Sequence, residues 1–450
     1  MRSTLAKGVA AGALIALPVL NPVARAEKIP APPAEQTVTA SASVKELTLE
    51  QALAMAKRGN RSLAVDRTRL AQAKVSIDQA WSVLFPTVVA QGKYSRNNTE
   101  FVFALPGAGA LTIQPYNQLD GAISASTLLF APAVYPGLKA VEAGFEAAEE
   151  GNRASEDAVL YAVGQTFYAA LIADEVMVAR DSNIAVTQAT LETAKTRFAA
   201  GAVTKLDVDR AELALLRAQQ AKREAELGRA QYYRALATLI GAEGSFRVAA
   251  PTGADADSSG SVGNDLDLVL KLRPEFRALD AAAREAELER KAYLWRWAPS
   301  ISAFGNARAF NYDNFARQNH AWVVGATLDW VLYDGGSRDN QRHLQLARLA
   351  ESQARAEQLR ESIRDDLANG KDTIATKRQA QLTAERSVTL AQETVDLTRT
   401  QYEAGSATQI DVLQAQDALI AAKDALARSH FDVALADLSL RRAAGTFPPR

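Results

Sequence analysis

The strongest constraint on the fold is a pair of very long stretches without proline. None occurs between Pro136 and Pro251, or between Pro299 and Pro448. From about Leu138 to Phe198, and from Arg338 to Tyr402, apolar and alanine positions recur at helical spacing. Roughly 60–65 residues at about 1.5 Å each give helices on the order of 90–100 Å, longer than a globular domain contains. Ala-rich seams bordered by Arg, Glu and Gln suit coiled-coil packing. Each long helix runs into a glycine, Gly201 or Gly405, and Thr204-x-x-Asp207 or Thr408-x-x-Asp411 then fits a capping box that starts a return helix. The expectation is two helical hairpins with matched tips.

The match extends along the chain. Arg197-Phe198-Ala199-Ala200-Gly201 stands 204 residues before Gln401-Tyr402-Glu403-Ala404-Gly405, and the same offset carries Ala211 onto Ala415 and Gly241 onto Gly445. An offset of 213 carries Asn60-Arg61-Ser62 onto Arg273-Pro274-Glu275, and Pro86 onto Pro299. Two halves of similar order are implied. The chain divides into an export signal (1–26), a flexible lead-in (27–46), a first half (47–243), a linker (244–264), a second half (265–445) and a tail (446–450). In the first half these are helix 47–85, strands 86–130, long helix 137–198, tip 199–204 and return helix 205–241. In the second they are helix 265–297, strands 299–333, long helix 338–402, tip 403–408 and return helix 409–444.

The strands announce themselves by a change of period. After Pro86, Val88, Ala90, Gly92 and Tyr94 alternate with polar neighbours, and Leu119, Gly121, Ile123 and Ala125 repeat the pattern. Trp322, Val324, Ala326, Leu328 and Trp330 do so in the second half, whereas Phe304 and Phe310 fall on the polar side of their segment. Runs of about ten residues are long enough to cross a bilayer as tilted barrel strands. Four such strands cannot close, and open edges in lipid leave backbone groups unpaired at several kcal/mol each. Other copies of the chain must complete them. Three copies give twelve strands, while two give a narrow barrel of eight.

The amino terminus fits export. Arg2 and Lys7 precede an apolar run from Gly8 to Leu20 and then Ala24-Arg25-Ala26, the layout of a signal peptide cleaved before Glu27. The run is too short to span a bilayer. Loss of Arg2, Lys7 and Arg25 from 51 basic residues leaves 48 against 52 acids, a net charge of −4. Such a balance excludes a polyanion or nucleic-acid binder. With no cysteine, disulfides, thiolate metal sites and a Cys-linked lipid anchor are excluded too. Ala158 to Ala173, the most apolar stretch after the signal, is flanked by Glu156, Asp157, Asp174 and Glu175 and reads as a buried helix segment.

Taken together, these motifs resemble the TolC-type outer-membrane efflux family. The resemblance runs from about Leu47 to Gly445 and rests on the two tip motifs, on Leu84-Phe85-Pro86 and on Leu332-Tyr333-Asp334-Gly335-Gly336. It implies a mainly helical chain with four transmembrane strands, a homotrimer sharing a twelve-stranded barrel, and a periplasmic helical tunnel in the outer membrane of a Gram-negative bacterium. It implies docking of a periplasmic adaptor at Gly201-Ala202-Val203 and Gly405-Ser406-Ala407. A proton- or ATP-driven inner-membrane pump is the third component. A tunnel constriction falls near Asp207, Asp411 and Gln414. Some relatives carry a second acid where Gln414 stands and a basic residue where Ala407 stands. Lacking cysteine, the chain resembles the unlipidated branch.

Each residue also has a plainer role. Asp207 and Asp411 cap helices, each contributing about 1 kcal/mol. Gly201 and Gly405 supply left-handed caps. Trp322 and Trp330 suit lipid or its interface, with a packed core as the alternative. His320, His343 and His430 lie in unrelated segments without ligand spacing, and no phosphate loop or acid–base pair is present. Asp365-Asp366 reads as a solvated face. No enzyme activity or cofactor is expected. Two functions remain open: a passive exit duct, or a periplasmic coiled-coil scaffold whose strands form a small sheet.

Overall fold

The computed structural model describes residues 45–105, 109–249, 266–312 and 318–448. The export signal, most of the lead-in and linker, and the end of the tail lie outside the described residues.

The helix expected over 47–85 is not continuous. Strand β1 (Lys45–Leu47) comes first, then α1 (Leu49–Gly59) and α2 (Arg61–Trp81). Asn60 is extended between them (φ −68°, ψ 125°), and its side-chain oxygen accepts from the N–H groups of Ser62 and Leu63 at 2.9 and 3.1 Å. One residue ends the first helix and caps the second. The helix expected over 265–297 breaks likewise into α5 (Leu266–Leu272) and α6 (Pro274–Trp295). There the cause is Pro274, which drives Arg273 out of the helical region and then occupies the first helical turn.

Strands β2 (Thr87–Arg96), β5 (Asn117–Phe130), β7 (Ser300–Phe310) and β8 (His320–Asp329) form one antiparallel sheet in the order β2-β5-β7-β8. Its register sorts the residues by face. Val88 stands opposite Ala125, Tyr94 opposite Leu119, Ile123 opposite Ala307, and Ala307 opposite Trp322. The opposite face pairs Lys93 with Asp120, Ser124 with Asn306, and Ser302 with Thr327. Phe304 belongs to this polar face, where its ring lies 2.9 Å from the position a Cβ of Gly325 would take. A side chain at 325 would displace that ring.

Between β2 and β5 lies a hairpin that the alternation pattern did not single out, β3 (Phe101–Leu105) with β4 (Gly109–Gln114). The sheet leads into α3 (Val134–Ala199), which returns as α4 (Lys205–Ile240), and into α7 (Ser337–Glu403), which returns as α8 (Gln409–Ala443). At 66 and 67 residues, α3 and α7 each run about 100 Å.

The hydrophobic core sits at the waist, where α1, α3, α4 and α8 meet. Leu53, Leu160, Val163, Phe167, Leu236, Ile240 and Leu438 are buried there. A short parallel ladder of β1 with β6 (Phe246–Val248) closes it. Among the described residues α3 is the one helix apolar and long enough to cross a membrane. Its most apolar stretch spends Leu160, Val163, Phe167 and Ala170 on this core.

Candidate functional site: the hairpin tips and the apolar sheet face

Both tips are built alike. At the end of α3 the Gly201 N–H donates to Phe198 O at 2.9 Å and the Ala202 N–H to Arg197 O at 2.9 Å. At the end of α7 the Gly405 N–H donates to Tyr402 O at 3.1 Å and the Ser406 N–H to Gln401 O at 2.9 Å. Each is a left-handed glycine cap, with φ of 69° at Gly201 and 79° at Gly405. Ala202, Ser406 and the two glycines are exposed; Val203 and Ala407 are half-buried.

The acids that follow are caps. Thr408 donates its N–H and its hydroxyl to Asp411 Oδ2, both at 2.7 Å, and the Asp411 N–H returns a bond to Thr408 Oγ1 at 3.4 Å. Thr204 donates to Asp207 Oδ2 in the same way, at 3.0 and 2.8 Å, but the Asp207 N–H goes to Thr204 O instead. One turn on, Arg210 approaches Asp207 at 3.8 Å. Asp411 lacks that neighbour, since exposed Gln414 stands there. The Thr204 and Thr408 hydroxyls, then their N–H groups, hold both carboxyls below the ordinary 3.8 of an aspartate.

A group whose folded value is lowered stabilises the fold above 3.8 and loses that contribution as pH falls through the folded value. Protection of the tip amides against hydrogen exchange, corrected for intrinsic rates, is therefore expected to stay level from pH 7 to about pH 5 and to fall below about pH 4. Loss of protection beginning above pH 5 would mean that other groups control the tips.

The two hairpins touch through a contact that local spacing does not reveal. Arg197, in the last turn of α3, lies 4.2 Å from the Tyr402 ring centre and donates to Tyr402 O at 3.2 Å. Its charge thus sits at the carboxyl end of α7, where the helix dipole favours a cation. Further from the tip, Gln416 Nε2 donates to Thr190 Oγ1 at 3.1 Å, and Arg180 pairs with Asp424. Between these contacts a cavity of about 530 Å³ opens between α3, α7 and α8, lined among others by Asn183, Asp396 and Arg399. Tyr402, Gln409 and Gln416 line it at 8%, 4% and 8% exposure, yet Tyr402 Oη, Gln409 Nε2 and Gln416 Oε1 are buried without a hydrogen-bond partner. Three such atoms around one groove are unusual, because buried polar groups are nearly always paired.

The apolar sheet face is the second feature. Trp322 is 76% exposed and Val324 72%, and Val88, Tyr94, Ile123 and Leu328 are exposed as well. Trp330 stands one residue beyond β8, with its Nε1–H donating to Trp297 O at 3.0 Å. An indole with one end apolar and the other tied to backbone suits a membrane boundary.

The family model described as "Outer membrane efflux protein" matches residues 52–242 and 266–446, most of the chain. The chain belongs to the outer membrane efflux protein family. Members are transport channels, so the chain is not an enzyme. It is 25% identical to nodulation protein T of Rhizobium leguminosarum bv. trifolii over 402 residues, covering 81% of this chain and 78% of that one. Solved channels share the fold at lower identity. CusC matches with a TM-score of 0.77 at 17% identity, over 91% of this chain and 95% of its own. CmeC of Campylobacter jejuni matches with 0.75 at 17%, over 88% and 85%. The open state of MtrE from Neisseria gonorrhoeae matches with 0.69 at 20%, over 91% and 94%.

Proposed function

We propose that three copies of this efflux-family chain form the outer-membrane exit duct of a tripartite efflux or type I secretion system. The observation that carries this reading is the four-stranded sheet, with one face apolar through its middle from Val88 to Tyr94 and from Trp322 to Leu328, and with two open edges, β2 and β8. The apolar face meets lipid, the polar face lines the lumen, and each β8 pairs with β2 of the next copy, giving twelve strands without an edge. The hairpins α3–α4 and α7–α8 project into the periplasm as the tunnel wall.

The tips are the controlled end. Asp411 and Gln414, with Asp207, ring the entrance. A periplasmic adaptor docks around Gly201-Ala202-Val203 and Gly405-Ser406-Ala407. The unpaired polar atoms of Tyr402, Gln409 and Gln416 support a polar partner in the adjoining groove. The duct is passive: the inner-membrane pump, proton- or ATP-driven, supplies the energy, and docking spreads the tips. The chain is expected to stay in the membrane fraction until detergent is added, and then to have the mass of three copies by light scattering. Recovery of a monomer in the detergent-free soluble fraction would overturn the duct in favour of a periplasmic scaffold.

A further inference from the structure

The groove enclosed by α3, α7 and α8 has room for a ligand that the tip motifs do not account for. Its α3 wall runs from Ala179 to Thr193, about 21 Å at 1.5 Å per residue. Spread over that length, 530 Å³ gives a cross-section of about 25 Å², against about 80–110 Å² for a helix 10–12 Å across. A helix of a docking protein therefore rests on the rim, and what enters the groove is as thin as an extended alkyl chain.

The lining divides by chemistry. Val186, Val395, Val412, Leu419 and Ile420 supply an apolar wall. The charged residues on it, Asp396 and Glu403 against Arg399 and Lys423, balance, and Arg399 already pairs with Glu403 at 3.3 Å. An occupant without net charge suits such a wall. The remaining polar capacity belongs to Tyr402, Gln409 and Gln416, each more than nine-tenths buried. A neighbour fixes the direction of the Gln416 amide. Thr190 spends its hydroxyl proton on Val186 O at 3.0 Å, so its oxygen can only accept, and it does so from Gln416 Nε2 at 3.1 Å. Gln416 Oε1 is left as an acceptor without a donor and Gln409 Nε2 as a donor without an acceptor, while Tyr402 Oη can serve as either.

We propose that this groove binds a small uncharged amphiphile. Its alkyl chain lies on the valine, leucine and isoleucine wall, and an amide- or hydroxyl-bearing head pairs with Gln409, Gln416 and Tyr402. A mostly apolar pocket with a few convergent polar groups is the ordinary form of a small-molecule site. The site stands apart from the duct, because it is complete within one copy. Seated there, the ligand bridges α3 of one hairpin to α8 of the other, beside the Arg197–Tyr402 contact.

The test uses the full chain in lipid nanodiscs, with N-octanoylethanolamine carrying a diazirine in its alkyl chain. The carbonyl of this probe can accept from Gln409, and its amide N–H and hydroxyl can donate to Gln416. On irradiation, labelling is expected to saturate and to fall on peptides holding residues 179–193 and 412–420. Plain N-octanoylethanolamine should displace the label about tenfold more effectively than methyl octanoate, which has no donor. Gln416→Met removes the acceptor at similar volume, and that preference should then vanish. Tyr402→Phe deletes one oxygen, keeps the ring against Arg197, and should weaken the amide about 3- to 10-fold. Light scattering on each variant reports assembly; if Gln416→Met assembles poorly, Tyr402→Phe and the amide–ester comparison decide. Labelling that never saturates, or that spreads along the chain, overturns the site. So does equal displacement by amide and ester, or a preference that survives Gln416→Met. A monomeric particle that still labels saturably overturns the duct and leaves the site standing.

Discussion

Val324→Arg is expected to keep the protein out of the outer membrane, whereas Val323→Arg, one residue earlier, is expected to leave assembly intact. Both positions are near the middle of β8 and both are exposed, at 72% and 51%. The difference is the face. Val324 pairs with Gly305 in the apolar row, while Val323 pairs with Asn306 in the polar row. A basic side chain on the lipid face at mid-depth costs about 2–4 kcal/mol. Three copies bring that to roughly 6–12 kcal/mol per barrel, comparable with the whole stability of an ordinary domain at about 5–15 kcal/mol. On the lumen face the same guanidinium stays in water beside other polar groups. Membrane fractionation and the yield of trimer on native gels measure the outcome. Equal tolerance of both changes would remove the barrel, and the reverse order of tolerance would turn the sheet inside out.

That contrast shows which parts of the molecule were readable in the residue order. Alternation at Val88, Ala90, Gly92 and Tyr94, and again at Trp322 to Leu328, needs only the two-residue period of one strand, so it is visible locally. The register that lines the four strands into one apolar face depends on pairings between distant segments. The strand order β2-β5-β7-β8, which sets a first-half strand beside a second-half one, is equally non-local. The tip caps were legible because a left-handed glycine and a threonine–aspartate box complete themselves within a few residues. The helix break at Arg273 had a local cause in Pro274. At Asn60 the cap bonds to Ser62 and Leu63 are local, but the bond from its Nδ2 to Leu239 O, 179 residues away, is not visible in the residue order. The unpaired polar atoms of Tyr402, Gln409 and Gln416 emerge only once three helices enclose them.

The Arg197–Tyr402 contact joins residues 205 apart, and it leads to the second large effect. Arg197→Ala is expected to loosen the closed tip, raising the open probability of single channels in planar bilayers. The guanidinium combines a ring contact, a bond to a carbonyl and a charge at the end of α7. These overlap in one side chain, so their joint loss is put at about 1–3 kcal/mol per copy rather than their sum. That is roughly a 5- to 150-fold shift in a two-state equilibrium for each copy, compounded over three. Arg197→Lys keeps the charge but not the planar donor group, and should fall between wild type and alanine. Arg210→Ala is the matched control, because Arg210 approaches Asp207 within its own hairpin. Under the proposed gate it changes channel closure little. The assignment fails if Arg197→Ala channels close like wild type while Arg210→Ala channels open. The charge within one hairpin would then hold the tip, and the contact between hairpins would be packing alone.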